Sequence, residues 1–556
     1  MGLETEYALR IQRVAGVQSK QVFDFDQFSS CLESEIPWAR SFRNPERLFL
    51  ANGGCLSLER GNTINPNNVL LESATPECQS PRELLSYQLA LETLLAETLQ
   101  KTNLKDSAQL MKGNTDAYGH TYGQHESYEM RVARGWRLVG WRIGLILLMP
   151  LLTLYHLAAA IWIMAIWLIG QAAVQLSYVA SRATMRKVGT ITASTYSSAT
   201  SNRFWSIHPR WIGLCAIGLR IMHFPLAWGL WLNIYCFALV PHRRHLAAFF
   251  ASRCILDGAG YLDPANRFWV SVRAAAVNST IGFGSYRFER PIFRCDSWLR
   301  GLCMDPIWRP QKYLELFGAY QRVEIAIGDS GLCEQSQYVR IGSTALVLDM
   351  IEKAMQQTTS SVPKLRNNID AIHRFSKDWM LLASVSDNAR RQWTALDIQH
   401  AYASAVRHFL QSQANIPIEA WRILDQWQTT LNQLRPTEDE SNLPRSMLGR
   451  VDWLSKLWLL HQIRDEESWQ VRKKIDLRYH ELSRDGYYDR LISMLGIAPL
   501  VSSDETGRAR RTPPNGTPAT QRGYIIREFA DSASNMRCDW KMAQFSFENE
   551  KRTVRF

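Results

Sequence analysis

Two carboxylates open the chain at positions that alternate along a strand. Glu4 and Glu6 lie two residues apart in a short, mostly apolar run, so on a β-strand both side chains point to one face. Two further stretches of strand-like length carry Glu59 and Glu72. Carboxylate oxygens are the ligands that hold Mg²⁺ together with the phosphates of ATP. The pattern therefore indicates a magnesium and phosphate site, although a solvent-facing strand edge with scattered glutamates also fits it.

Several ordered segments carry a family resemblance. In the first part of the chain and just beyond its middle they are 1–6, 52–54, 72–78, 114–116 with 122–128, and 327–330. In the second half they are 395–399, 452–456, 476–480, 512–514, Arg522 and 539–540. Together these segments resemble the family of Pup-protein ligases and depupylases, within the glutamine synthetase-like carboxylate-amine ligases. The resemblance covers most of the chain outside about 131–245.

The resemblance implies a ligand set for a nucleotide and its metal, so ATP and Mg²⁺ are the expected cofactors. Glu4 and Glu72 match the magnesium ligands of the family, and Thr75 matches an ATP contact. Trp540 matches the aromatic residue that covers the nucleotide. Each role suits its side chain, because carboxylates bridge Mg²⁺ to phosphate and an indole face stacks on a base.

Five more side chains complete the expected site. Arg322 and Glu324 alternate on a strand, and the wider superfamily has an Arg-x-Glu strand whose Glu binds metal. The resemblance thus implies Glu324 as a third magnesium ligand, where the family itself usually has His. His125 is expected at a second metal or at the phosphates. Arg273 and Arg522 also match family blocks and are expected to neutralise phosphate charge.

One strand departs from the family pattern. Alternation places Cys55, Ser57 and Glu59 on one face, where the family has an Arg that binds ATP, a Tyr near the metal and a catalytic Asp. Glu59 keeps the carboxylate with one more methylene, so the resemblance implies Glu59 as the catalytic base. The acidic family block expected after residue 292 is also absent, and 293–296 reads Phe-Arg-Cys-Asp instead.

The elements that must position these residues predict an α+β fold. The expected architecture is a glutamine synthetase-like antiparallel sheet packed with helices, a small C-terminal domain and an inserted transmembrane helical hairpin. Leucines at helical spacing predict a helix over 81–101, and alternation predicts strands over 268–273 and 322–327. Residues 502–520, rich in Ser, Arg, Pro, Thr and Gly, read as a flexible loop.

These elements divide the chain into four parts. We expect the first part of the catalytic domain at 1–130, a membrane insertion at 131–245, the rest of the catalytic domain at 246–500, largely helical after 343, and a loop with a small C-terminal unit at 501–556.

Two long apolar runs lie inside the insertion. Residues 143–176 and 221–240 contain no charged side chain, and about 20 apolar residues suffice to cross a bilayer. Arginines precede the first run and follow the second, which places both flanks in the cytoplasm. We therefore expect a multi-pass membrane protein with a cytoplasmic catalytic domain. Basic residues within about 178–210 leave a re-entrant or interfacial pair open, and a buried helix pair is the third alternative.

Composition narrows the function classes. The formal net charge is +12, yet no nucleic-acid-binding signature accompanies it, so no nucleic-acid partner is expected. The ten cysteines form no CxxC pair, which argues against a zinc site or a disulfide framework and fits a reducing compartment.

The resemblance implies an ATP-dependent carboxylate-amine ligase. Its expected reaction joins a glutamate side chain of a Pup-like protein modifier to a lysine of a protein substrate through an acyl phosphate. Residues 327–334 and 395–399 look more like the ligase than the depupylase. Three alternatives stay open: a depupylase or deamidase, a small-molecule γ-glutamyl ligase, and a membrane-tethered pseudoenzyme that keeps the fold without turnover.

Overall fold

The protein, in this computed structural model, consists of two units. The larger unit comprises Met1–Met130, Pro241–Cys295 and Arg322–Phe556, and the smaller one comprises Arg131–Val240 and Asp296–Gln321. The structure describes residues 1–11, 23–60, 69–105, 107–116, 120–187, 209–287, 289–304, 310–353, 362–434, 443–464, 467–531, 534–547 and 550–556.

The strands, numbered in chain order, are β1 Gly2–Ile11, β2 Trp38–Ser41, β3 Arg47–Leu50, β4 Cys55–Arg60, β5 Val69–Ala74, β6 Ala108–Met111, β7 Gln124–Arg131, β8 Tyr261–Leu262, β9 Phe268–Trp269, β10 Ser279–Gly282, β11 Pro291–Arg294, β12 Tyr320–Gly328, β13 Ser384–Ser386, β14 Gln392–Thr394, β15 Ser534–Cys538, β16 Met542–Phe547 and β17 Glu550–Arg555.

The α-helices of the larger unit are Phe25–Glu33, Pro81–Gln100, Val240–Ser252, Cys254–Asp257, Val272–Ala275, Glu334–Lys353, Asn368–Phe375, Ala395–Gln411, Ile418–Gln433, Asp452–His461, Trp469–Arg478, Tyr487–Leu495, Ser503–Arg511 and Pro518–Phe529. The first residue of Val240–Ser252 belongs to the smaller unit. Those of the smaller unit are Trp136–Lys187, Pro209–Cys236, Asp296–Met304 and Pro310–Glu315.

A 13-stranded sheet organises the larger unit. Its order is β10-β11-β12-β7-β1-β5-β4-β3-β2-β15-β16-β17, with β6 also paired to β1. Most pairs are antiparallel, whereas β10 with β11 and β15 with β2 run parallel. The α+β class is thus confirmed. The expectation of a purely antiparallel sheet is wrong, because a strand from the C-terminal part of the chain joins the edge at β2 in parallel.

One face of this sheet is closed by the main core. Along β1, Leu3, Thr5 and Tyr7 are buried, while Glu4 and Glu6 on the other face are not. The helix Pro81–Gln100 begins at the Ser80 cap, and its end was predicted to within a residue. Its C-terminal leucines, from Leu91 to Leu99, pack into the same core as Tyr7. The period of two along the strand therefore separates the core from the polar face.

Two sequence expectations about local structure are wrong. The strand expected over 268–273 ends at Trp269, because Ser271 caps the short helix Val272–Ala275. The loop expected over 502–520 contains two helix starts instead. Ser502 and Glu505 form a capping box, and Thr517 caps a helix with Pro in its first turn. These caps satisfy the first free backbone N–H groups and offset a polar composition that is typical of a loop.

The smaller unit is built around two long helices, Trp136–Lys187 and Pro209–Cys236. Glycines allow them to approach closely, since a Cβ on Gly144 would lie 2.2 Å from the Asn233 side chain and one on Gly140 would lie 2.5 Å from Phe237. Asn233 also donates a hydrogen bond to the carbonyl of Trp141 at 3.1 Å. Small residues and an interhelical amide contact are how apolar helices pack in bilayers.

Much apolar surface of these helices remains exposed. Leu147 is 71% exposed and Trp167 is 60% exposed. The segment Trp136–Ala172 is long and apolar enough to cross a membrane, with a mean hydropathy of 2.0 in its most apolar window. A second span is present only if Ile217–Cys236 and the bent continuation Val240–Ser252 are counted as one. Both statements concern the described residues.

A buried ion pair fixes β7 from behind. Arg253 donates to both carboxylate oxygens of Glu126, at 2.6 and 3.1 Å, and to Thr344 at 2.7 Å. Both charged side chains are fully buried. Glu126 directly follows His125 in β7, so this pair anchors the strand next to that histidine.

We expect Arg253→Met to lower the free energy of unfolding by about 3–5 kcal/mol, because it leaves the Glu126 carboxylate buried without its main partner. The double variant Arg253→Met and Glu126→Met should lose less than the single variant, since both charges are then gone. Chemical denaturation of the purified protein measures both. A double variant that is less stable than Arg253→Met would contradict this account.

Candidate functional site

The polar face of the sheet collects charged side chains from seven neighbouring strands. The register pairs Glu6 with Glu72, Ser57 with Glu72, and Glu4 with His125. Paired residues share a face. We call this surface the open face and define it by Arg294, Glu324, His125, Glu4, Glu6, Glu72, Ser57, Glu59 and Arg47.

Glu72 lies near the middle of the open face. The Ser57 hydroxyl donates to Glu72 Oε2 at 2.9 Å, and an Arg47 guanidinium nitrogen lies 3.6 Å from the same oxygen. Burial and the like charge of Glu4 raise the pKa of Glu72 to about 7, against the opposing effects of Ser57 and Arg47. The site is therefore short of positive charge around this carboxylate.

Glu4 carries its own counter-charge. Arg322 donates to Glu4 Oε1 at 2.6 Å and to the Ser127 hydroxyl at 2.9 Å. The two side chains come from β1 and β12, which lie on either side of β7. Arg322 thus bridges three strands across the open face.

His125 links a carboxylate to an arginine. Its Nδ1 pairs with Glu324, while its Nε2 faces Arg273 at 2.9 Å. Arg294 also donates to Glu324 at 3.0 Å. Burial opposes ionisation of Glu324, yet His125, Arg294 and Arg322 together lower the pKa of Glu324 to about 2.

Glu59 lies towards the end of β4 with an exposed side chain. Partial desolvation of the carboxyl group and the like charge of Glu6 raise the pKa of Glu59. A carboxylate with a raised pKa, at the rim of a polar face, is a more effective proton acceptor than an ordinary surface Glu.

Three other predicted residues have structural partners. The Thr75 hydroxyl accepts from the Leu3 amide at 2.9 Å. Trp540 meets the ring of Phe49 edge-on at 5.2 Å. Arg522 is fully buried and donates to Glu77 at 2.6 Å, to the Gly53 carbonyl at 2.7 Å and to the Trp540 carbonyl at 3.1 Å.

These partners occupy the guanidinium of Arg522. Its guanidinium carbon lies 4.7 Å from the centre of the Trp540 ring, and it is ion-paired with Glu77 at 2.6 Å. Arg522 therefore holds Trp540 in place, and its expected contact with phosphate stays a prediction.

The open face fits a magnesium ion in part. Glu4, Glu6 and Glu72 are hard oxygen donors on adjacent strands, and the raised pKa of Glu72 shows that a cation there would be favoured. Glu324, in contrast, is already paired with Arg294 and His125. Among the described residues, no group of three or more His, Cys, Asp or Glu side chains stands at metal-binding spacing.

Two arginines of the open face escaped sequence reasoning. Arg47 alternates with Phe49 on β3, which is a readable signal, but no family block contains it. In the sequence, Arg294 stands out only as part of a replaced block. Its place on the open face follows from the pairing of β11 with β12, which sets Arg294 beside Glu324.

Comparison with known proteins places the chain. A sequence model described as Pup-ligase protein matches residues 1–544. The chain belongs to the Pup-ligase family. A Pup–protein ligase of Sanguibacter keddieii is 24% identical over 569 residues, which cover 100% of this chain and 94% of that protein. A Pup deamidase/depupylase of Mycolicibacterium smegmatis is 32% identical over 221 residues, covering 39% of this chain and 42% of that protein.

Solved structures share the fold of this family member. The ligase PafA in complex with Pup superposes with a TM-score of 0.62 at 19% identity, covering 100% of this chain and 88% of that chain. PafA in complex with ADP gives a TM-score of 0.58 at 18% identity, with coverages of 98% and 93%. At this identity the likeness establishes the fold.

The raised pKa of Glu72 makes stability depend on pH in a defined direction. Between its ordinary pKa of 4.5 and the folded value of about 7, the folded state keeps a proton that the unfolded state has lost, so stability falls as pH rises through this window. Without divalent cations, Glu72→Gln should therefore be more stable than wild type at about pH 8, by about 1–3 kcal/mol, and nearly equal at about pH 5.

Denaturant titrations in a chelating buffer measure this difference. Glu505→Gln is the control of opposite sign, because the hydrogen bond from Arg82 lowers the pKa of Glu505 to about 2, and its loss should destabilise the protein at about pH 8. Equal pH profiles for wild type and Glu72→Gln would show that burial of the ionised Glu72 carboxylate does not lower the free energy of unfolding.

Proposed function

We propose that this protein is an ATP-dependent Pup–protein ligase, which joins a glutamate side-chain carboxylate of a Pup-like modifier to protein lysines. The observation that carries the proposal is the open face, where Glu4, Glu72 and Glu59 from three neighbouring strands share one surface. Family membership and the full-length similarity to a Pup–protein ligase support the reaction class.

Each described side chain then has a chemical part. Mg²⁺, when bound by Glu4 and Glu72, would neutralise phosphate charge. Arg322 orients Glu4, and Ser57 orients Glu72. Arg273 supplies a half-buried positive charge beside His125. Thr75, at the end of β5, and Trp540, held by Arg522, are assigned to the nucleotide.

The reaction has two steps. In the first, an oxygen of the modifier carboxylate attacks the γ-phosphorus of ATP, the bond to ADP breaks, and an acyl phosphate forms. In the second, the lysine amine attacks the acyl carbon, inorganic phosphate leaves, and the amine proton passes to Glu59. The raised pKa of Glu59 suits it to accept that proton.

The proposal is tested by MgATP-dependent coupling of a Pup-like protein ending in Glu to a lysine substrate, followed by mass spectrometry. Glu59→Gln keeps the shape of the side chain but removes the base, so the coupling rate should fall by about 10²–10⁴-fold while MgATP affinity is unchanged. Glu33→Gln, in the helix Phe25–Glu33, is a control that should behave as wild type.

Other outcomes point to the alternatives. Release of modifier from a conjugate, without coupling, would indicate a depupylase, to which part of the chain is similar. MgATP binding without either reaction would indicate a pseudoenzyme. Equal coupling by wild type and Glu59→Gln would remove Glu59 as the base.

We also propose that the two long helices of the smaller unit insert in a membrane, with both flanks in the cytoplasm. Exposed apolar side chains along Trp136–Ala172 support insertion, because a soluble surface rarely exposes so large an apolar patch. Trp136 is 68% exposed with the Arg137 guanidinium 5.3 Å from its ring centre. This pairing is typical of a helix end at a bilayer interface.

Wild type should therefore stay in the membrane pellet after alkaline carbonate extraction. The double variant Ile161→Arg and Trp167→Arg should shift towards the supernatant, because each arginine costs about 2.5–3.5 kcal/mol in the middle of a membrane span. Ile418→Arg is the matched control: Ile418 is 71% exposed in the larger unit, and its substitution should leave the protein in the pellet. Full release of wild type would overturn the insertion.

A further inference from the structure

Strand β4 lacks a positive charge where the family resemblance leads one to expect an arginine. Cys55 occupies that position and is 3% exposed. Burial raises the pKa of the Cys55 thiol to about 12, even with Arg47 opposing. Cys55 is therefore neutral and contributes no charge to the open face.

The adjacent strand carries a guanidinium to the same surface. The register of β3 with β4 pairs Arg47 with Ser57 and Phe49 with Cys55, so Arg47 and Cys55 point to one face on neighbouring strands. Arg47 reaches Glu72 at 3.6 Å, beyond ordinary hydrogen-bond distance. Its Nε atom is buried and has no hydrogen-bond partner among the described residues.

The other nearby cation is committed elsewhere. Arg522 influences Cys55 as well, but its guanidinium is bound to Glu77, Gly53 and Trp540. On the opposite flank of the open face, Arg322 is bound to Glu4 and Arg294 to Glu324. Among the described arginines on the open face, Arg47 combines a 3.6 Å ion-pair distance with a donor that has no hydrogen-bond partner.

We propose that Arg47 binds the phosphates of the nucleotide and replaces, from the neighbouring strand, the arginine that Cys55 displaces. This inference rests on the proposed function, since it takes the nucleotide to be the ligand of the open face. The ligand class is a nucleoside polyphosphate, because the Arg47 side chain is 39% exposed beside a carboxylate cluster, and such a guanidinium can bind a phosphate oxygen that a magnesium ion would also contact.

The test is nucleotide binding by the full-length protein in detergent micelles. Arg47→Gln should weaken MgATP binding by about 10- to 100-fold, the usual worth of a charge-assisted hydrogen bond, and should leave adenosine binding unchanged. Arg47→Lys keeps the charge without the guanidinium geometry, so its MgATP affinity should lie between those of wild type and Arg47→Gln. Calorimetry with MgATP, and competition by adenosine, give both affinities.

Arg40→Gln is the matched control. Arg40 lies on the adjoining strand β2 and also pairs with a carboxylate, Asp26, at 2.9 Å, but on the core side of the sheet. It should bind MgATP like wild type.

Two results would overturn the inference while the proposed function stands: Arg47→Gln that binds MgATP as tightly as Arg40→Gln, or Arg47→Gln that loses MgATP and adenosine equally, which indicates a structural part for Arg47. Wild type that fails to bind MgATP would overturn the proposed function itself and this inference with it.

Discussion

The crowding of carboxylates on one sheet face is the constraint on which the site depends. Glu4, Glu6, Glu59 and Glu72 come from three adjacent strands, and like charges at strand spacing repel one another. The protein counters this repulsion unevenly. Glu4 has Arg322 at 2.6 Å, whereas Glu72 has Arg47 at 3.6 Å and a raised pKa. The deficit lies where a ligand cation is expected, so the face is electrostatically incomplete without one.

This arrangement is stable because the reverse face of the sheet is tightly fixed. Tyr7 and the leucines of Pro81–Gln100 fill the core behind β1 and β5. Behind β7, Arg253 holds Glu126 in a fully buried pair. The core and that pair set the strand positions, and the strand positions set the distances between carboxylates. Burial on one side of the sheet thus supplies the free energy that keeps repelling groups together on the other.

Sequence reasoning was strongest where a short period decides the outcome. Alternation placed Glu4 with Glu6 and Cys55 with Glu59, and helical spacing gave the helix Pro81–Gln100. It failed where a side chain acts through a distant partner. Nothing local shows that Arg522 is held by Glu77, 445 residues away, or that Glu324 pairs with His125. Arg47 was missed because its relevance depends on the register of β3 with β4.

The departures from the family pattern on β4 are mutually consistent in the structure. The Ser57 hydroxyl binds Glu72 directly, so the smaller side chain still orients that carboxylate. Cys55 is apolar and well buried, and Arg47 brings a guanidinium to the same face from β3. Glu59 keeps an ionisable group at the exposed end of the strand. Together, Ser57 and Glu59 on β4 and Arg47 on β3 place an orienting hydroxyl, a carboxylate and a cation on one face of the sheet.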